Sequence, residues 1–281
     1  MTIAVFAVNY RADAHLIRFV DSVAVAKADA HGTDVSLHVI DNSCKTPSEL
    51  SELREHLRRD DLQVTLHSSG RNEGYFGGLS FAQSLVTTDT SCVIYCNPDI
   101  LLERDFFAQM QVLDLSGTGV VAPAIVSLDE GFDQNPKYVD RLSRAKLIRL
   151  RAIYSTPATY VAFTLLARVR EMMGRRGRGD GHVEGSREIY APHGAIFVFI
   201  NVQFFMALPK YPCFLFGEEL FVAEEARAAG VSVSYEPSLK VWDIRHASVS
   251  ALAPSKLRAY LLESVRHILH RYYLGSGGGA R

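Results

Sequence analysis

The 281-residue sequence has almost no net charge: 30 Lys and Arg against 31 Asp and Glu leave a formal charge of −1. That balance excludes a polyanion held by overall charge, so nucleic acid is not an expected partner and any basic surface must be local. Cysteine is scarce as well. Cys44, Cys92, Cys96 and Cys213 show neither metal-finger nor C-x-x-C spacing and are read as reduced core thiols of a cytosolic protein. No long apolar run is present, since "IYSTPATYVAFTLLA" from Ile153 is too short and too polar to span a bilayer. The opening "MTIAVFAVNY" enters a strand with no basic segment ahead of it, so no secretory signal is expected. No G-x-G-x-x-G follows that strand and no P-loop occurs anywhere, which argues against a nicotinamide-dependent dehydrogenase. Internal repeats are also absent.

What is present is an alternation. "IAVFAVNY" is a continuous apolar run of the kind buried on both faces of a sheet, and "AHLIRFVDSVAVAKA" carries apolar residues at helical spacing. "VSLHVIDNS" is a second strand, followed by the helix "PSELSELREHLRR" with Pro47 in its first turn and Thr46 or Ser48 as its cap. "LQVTLHSS" is a third strand, "GYFGGLSFAQSLV" a glycine-rich turn opening into a helix, and "SCVIYCNPD" a fourth strand. This order predicts an α/β fold with a mostly parallel sheet flanked by helices.

The carboxyl ends of the strands carry Asn9, Asp41 with Asn42, Asn72 with Gly74, and Asn97 with Asp99. That edge is where open α/β sheets form a ligand crevice. Pro98 stops the ladder and fixes the direction in which Asp99 leaves the sheet, although Asn-Pro-Asp is also ordinary turn punctuation. The glycines at 74, 77 and 78 suit either a close backbone approach to a ligand or a tight strand-to-helix turn.

After "VVAPAIVS" the alternation stops. From Arg141 to Arg178 the chain carries ten Lys and Arg against one acid, Glu171, with Tyr154, Tyr160 and Phe163 between them. Such a segment fits either peripheral attachment to anionic lipid or a solvated helical insertion. "EIYAPHGAIFVFI" is then a long apolar strand, "GEELFVAEEARAAG" a helix capped by Gly230, "VSVSYEP" and "KVWDIRHAS" two extended stretches, and "PSKLRAYLLESVRHILHRYY" a final amphipathic helix. The expected organisation is a first half-domain at 1–126, a basic helical insertion at 133–186, a second half-domain at 187–250, a C-terminal helix at 251–274 and a flexible tail at 275–281.

From Ile3 to about Ser250 this order of motifs resembles the family 2 glycosyltransferases with a GT-A fold, and more closely their bacterial rhamnosyltransferase-like members. "VNY", "IDNS", "NEGYFGGLSFA" and "NPD" stand where that family has its nucleotide-holding strand ends, its N-x-G-[FY]-x-x-G segment and its metal-binding D-x-D. "LFGEELFVAEEARAAG" is similar to its E-D-x-x-[LF] helix start. The resemblance implies a Rossmann-like nucleotide-binding sheet in which Asn9, Asp41, Asn72, Gly74 and Asn97 hold the nucleotide sugar. It further implies that Asp99 reaches a Mg²⁺ or Mn²⁺ ion on the diphosphate, and that Glu219, or Glu218 beside it, deprotonates the acceptor hydroxyl. Carboxylates at a helix start also suit the macrodipole, and Glu224 and Glu225 are read as solvated.

His193 in "YAPHGAIFVF" either contacts an acceptor hydroxyl or phosphate or serves a turn. Where relatives place a metal-binding histidine this chain has Asp243, with His246 three residues later; both are competent ligands. Trp242 is read as a core anchor. The implied activity is inverting transfer of rhamnose or a similar sugar from a dTDP- or UDP-sugar to a growing surface glycan, such as O-antigen or capsule. The implied acceptor is carried on a polyprenyl diphosphate at the inner face of the membrane, where the basic insertion meets anionic lipid. Asp243 motivates a second reading, a sugar-nucleotide or polysaccharide-binding protein without catalysis. A nucleotidyltransferase is disfavoured, because "NYRADAH" stands where that class carries G-x-G-x-R.

Overall fold

The structure, a computed structural model, describes residues 1–129, 131–172, 185–244 and 252–274. Its first half runs β1 (Thr2–Asn9), α1 (Asp13–Ala28), β2 (Asp34–Asp41), α2 (Pro47–Leu57), β3 (Gln63–Ser68), α3 (Leu79–Leu85), β4 (Cys92–Cys96), β5 (Ile100–Leu102), α4 (Phe106–Val112) and β6 (Val120–Ser127). The second half runs α5 (Arg144–Ser155), α6 (Pro157–Met172), β7 (Arg187–Glu188), β8 (Ile196–Phe199), α7 (Val202–Ala207), α8 (Glu218–Ala229), β9 (Val233–Asp243) and α9 (Pro254–Ile268).

All of these strands join one sheet in the order β3-β2-β1-β4-β8-β6-β9-β5, with β7 beside β9. The strands β1, β2, β3, β4, β6 and β9 run one way, and β5, β7 and β8 run against them. The mostly parallel α/β sheet expected from the sequence is therefore present. Its two faces carry separate cores, because strand side chains alternate. Ala4, Phe6 and Val8 of β1 face a core shared with α8. Ile3, Val5 and Ala7 face the α1 and α4 side.

Local signals behave as their chemistry requires. Thr46, rather than Ser48, caps α2 and closes a reciprocal box with Glu49. Gly230 ends α8 in the left-handed region. Elsewhere tertiary pairing redraws the strands. The two extended stretches around 233–243 form the single strand β9, whose register against β6 shifts between Pro123 and Ala124 to absorb residues 237–239. Of the long run "EIYAPHGAIFVFI", Glu188 ends β7 beside β9, Ile196–Phe199 forms the buried strand β8, and the residues between them form a loop. Cys92, Cys96 and Cys213 are buried free thiols as read, but Cys44 is exposed, because it sits in the loop that leaves β2. Trp242 is half-buried rather than a core anchor, since its indole N–H reaches outward to Glu103 Oε2 at 2.8 Å. Among the described residues no helix is long and apolar enough to cross a membrane.

Candidate active site

The carboxyl ends of β1, β2 and β4 open onto a cleft of about 200 Å³. Tyr10, Asn42, Asn72, Gly74, Asn97 and Asp99 lie along its wall, and Phe214, Lys256 and Tyr260 close it from the other side. Of the expected nucleotide residues, Asn9 and Asp41 are instead fully buried beneath it. Asn9 donates to Asp41 Oδ1 at 2.8 Å and to Asp13 Oδ1 at 2.9 Å, and Asp41 also accepts from the Ser43 hydroxyl at 2.9 Å. They hold the loops after β1 and β2 together, and Asn42 carries the wall itself. Asn42 donates to the Gly74 carbonyl at 2.9 Å, and Asn72 Oδ1 accepts from the Gly74 N–H at 3.0 Å.

Gly74 sits at φ +79, and a Cβ there would collide with the carbonyl oxygen of Phe214. Glycine is required at this position by the loop that closes the cleft, as well as by the turn.

Beyond β4, Asn97 donates its N–H to the Ala195 carbonyl at 2.9 Å, and the Ile244 N–H bonds the Asp99 carbonyl at 3.0 Å. These two bonds draw the His193–Ala195 loop and the end of β9 against the Asn-Pro-Asp turn. Ile100 pairs with Asp243 across the β5–β9 ladder, which brings Asp243 beside Asp99. Burial first, and then the Asp243 carboxylate, push the Asp99 carboxyl above its ordinary value. Two crowded carboxylates with oxygen donors only are the set that Mg²⁺ or Mn²⁺ prefers, and such ions take their remaining ligands from phosphate and water. Asp99 and Asp243 fit that role as a pair; among the described residues no three His, Cys, Asp or Glu side chains gather as a complete cluster. His246 lies outside the described residues.

A segment not singled out in the sequence supports this end of the site. Gln134 donates to Asp243 Oδ2 at 2.5 Å, and Asn135 Oδ1 accepts the His193 N–H at 2.6 Å. Asp133 braces the segment by accepting from the Ile125 N–H at 2.8 Å and the Tyr235 hydroxyl at 2.6 Å. The signal was available: "DQN" follows strand β6 as polar residues follow the other strands of the cleft. His193 Nδ1 accepts from the Ala195 N–H at 3.2 Å, so the ring is fixed within its own turn.

The acidic pair begins α8. Phe216 (φ 69) and Gly217 (φ 82) are both left-handed, and a Cβ on Gly217 would strike the Ser264 and Tyr211 hydroxyls. This strained turn drives Glu218 inward, where it is 5% exposed and its Oε1 has no hydrogen-bond partner. Burial, with the Glu219 charge beside it, pushes the Glu218 carboxyl up to about 8. Tyr75 shares this wall: it lines the cleft, and its buried hydroxyl is likewise unpartnered. Glu219 is half-buried, and its Oε2 lies 3.7 Å from where a Cβ would stand on Gly194. It therefore faces the loop that Asn97 holds. Glu224, read as solvated, is instead fully buried and bonded to Arg141 at 2.7 Å, Arg227 at 2.9 Å and the Tyr190 hydroxyl at 2.7 Å. Its pairing follows from burial on α8, which faces the sheet along most of its length.

No protein-family profile matches the chain, and no curated protein matches it. Solved structures do. The crystal structure of GalNAc-T7 with UDP, GalNAc and Mn²⁺ matches with a TM-score of 0.58 at 16% identity, over 88% of this chain and 44% of that one. The chain thus spans less than half the length of GalNAc-T7. The crystal structure of S. aureus TarS 1–349 matches with a TM-score of 0.53 at 11% identity, over 99% of this chain and 74% of that one. At these identities the likeness concerns the path of the backbone, and the architecture shared with these glycosyltransferase structures is the GT-A fold.

Proposed function

We propose that the protein is an inverting, metal-dependent glycosyltransferase that takes a sugar from a nucleotide-diphospho-sugar. The observation that carries this reading is a carboxylate on the wall of a GT-A cleft, Asp99, with a second beside it on β9 and a third on the neighbouring start of α8. Asp99 and Asp243 stand at the strand ends, and Glu219 stands by the His193–Gly194 loop. UDP and Mn²⁺ in the GalNAc-T7 structure support the donor class and the ion.

The donor's diphosphate would lie toward Asn97, Asp99 and Lys256, the last being a cation on the cleft wall with no acidic partner among the described residues. A Mg²⁺ or Mn²⁺ ion held by Asp99 and Asp243 would neutralise charge growing on that leaving group. Glu219 accepts the acceptor's hydroxyl proton while the oxygen attacks the anomeric carbon from the face opposite the nucleotide. The bond from anomeric carbon to phosphate oxygen breaks, and the nucleoside diphosphate departs with its electron pair. Glu218, pushed up to about 8 by burial, keeps its proton at neutral pH and so is not the base.

The donor we favour is dTDP-rhamnose or a UDP-sugar. The acceptor is a growing surface glycan on a polyprenyl diphosphate, met at the inner face of the cell membrane. Titrating UDP, dTDP and their sugars with and without Mn²⁺ or Mg²⁺ tests the reading. Metal-dependent binding should weaken at least about tenfold in Asp99→Ala with the fold intact. Glu219→Gln should bind donor normally and turn over roughly 100-fold slower or worse. Binding without any turnover would favour the non-catalytic sugar-nucleotide-binding reading, and no binding at all would overturn both.

A further inference from the structure

Helix α6 is built the wrong way round for a helix of a water-facing surface. Its residues Ala158, Val161, Ala162, Leu165, Leu166 and Val169 recur at the spacing that makes one helical face, and all of them are exposed. Val161, Leu165, Leu166 and Val169 are 51%, 54%, 49% and 41% exposed. An apolar stripe that ordinarily faces a core here faces outward over about 17 Å.

The stripe is held in place. Tyr154 of α5 packs edge-on against Tyr160 and Phe163 at 6.1 and 6.5 Å, and the Thr159 hydroxyl bonds the Ile153 carbonyl at 2.7 Å. From α9, Arg258 donates to the Tyr154 carbonyl at 2.7 Å.

Charge along α5 and along α6 as far as Arg170 has one sign, and the single acid, Glu171, follows in the last turn of α6. Arg144, Arg149 and Arg151 on α5 and Arg168 on α6 are exposed, and the three on α5 form no ion pair among the described residues. No acidic residue occurs between Arg141 and Val169. Ile148 lies exposed among the α5 arginines.

We infer that α5 and α6 form a docking surface for an anionic lipid bilayer, with the α6 stripe lying in the headgroup boundary and the arginines on lipid phosphates. An outward apolar face with uncompensated cations around it matches an interface that is apolar inside and negative at its surface. A second copy of this chain would bring the same arginines against themselves, which disfavours self-association through this face. The inference needs no donor, metal or transfer activity, so it stands or falls apart from the proposed reaction.

The test is flotation of the full chain with vesicles of phosphatidylcholine alone and of phosphatidylcholine with 30% phosphatidylglycerol, at low and high salt. Binding is expected to the anionic vesicles only, and to weaken as salt rises. Leu165→Asp with Val169→Asp, both at exposed positions, should leave the thermal unfolding curve in place and reduce vesicle binding more than about tenfold. Replacing Arg149 and Arg151 with Gln should weaken it about fivefold each. Failure of the unmodified chain to float with anionic vesicles overturns the inference. So does unchanged binding by the aspartate variant, or a concentration-dependent dimer that the aspartate variant abolishes.

Discussion

Glu218 and Glu219 are neighbours in the chain, yet their surroundings divide them. The free carboxyl titrates near 4.5 and the buried Glu218 near 8. Below pH 4.5 both folded and unfolded chains hold that proton. Between about 4.5 and 8 only the folded chain does, so stability is lost as pH rises through this window and levels off above it. Glu218→Gln removes the penalty. The variant should be more stable than the parent by on the order of 2–4 kcal/mol at pH 8, with the gap closing toward pH 4.5. Urea unfolding at several pH values checks this; parallel stability curves for the two proteins would mean that Glu218 does not hold the proton. The acidic pair itself was legible in the sequence. Its division was not, because it depends on two left-handed residues, Phe216 and Gly217, and on Tyr75, Tyr95 and Tyr211 arriving from other parts of the chain.

At the scale of elements, α8 shows why periodic charge misleads. Glu224 looks solvated beside Glu225, but α8 is buried along most of its length, and the partner that makes Glu224 tolerable is Arg141, 83 residues earlier. No local pattern encodes a pairing at that distance. The Arg141 guanidinium also lies 4.2 Å over the Tyr273 ring, so one side chain ties the approach to α5, α8 and the C-terminal segment together. Arg141→Ala would leave Glu224 with Arg227 and Tyr190 alone. A loss of roughly 1–3 kcal/mol is expected in urea unfolding, since a buried carboxylate deprived of one partner keeps its desolvation cost. A change within error would mean that Arg227 and Tyr190 suffice. The 133–135 segment did leave a local mark, polar residues after β6, but its partners Asp243 and His193 are distant in sequence and could not be read from it.

At the scale of the molecule, the alternation through β4 was legible because each buried parallel strand carries its own apolar run. The path after β6 was not. β8 enters between β4 and β6 in the opposite direction, and four apolar residues carry no mark of direction. Both halves of the chain therefore share one sheet and one pair of cores. The free thiols are distributed through that shared body: Cys92 and Cys96 lie in β4, Cys213 lies before α8, and Cys44 stands outside. Burial raises the three inner thiols, Cys213 to about 11, and seals them from reagent, while Cys44 is open to it. A native molecule should consume one equivalent of a small alkylating agent quickly and three more only as it opens. Followed by mass spectrometry, the slow labelling becomes a clock for unfolding. Simultaneous loss of the three slow thiols would mark one cooperative body, and separate rates for Cys213 and the β4 pair would mark two.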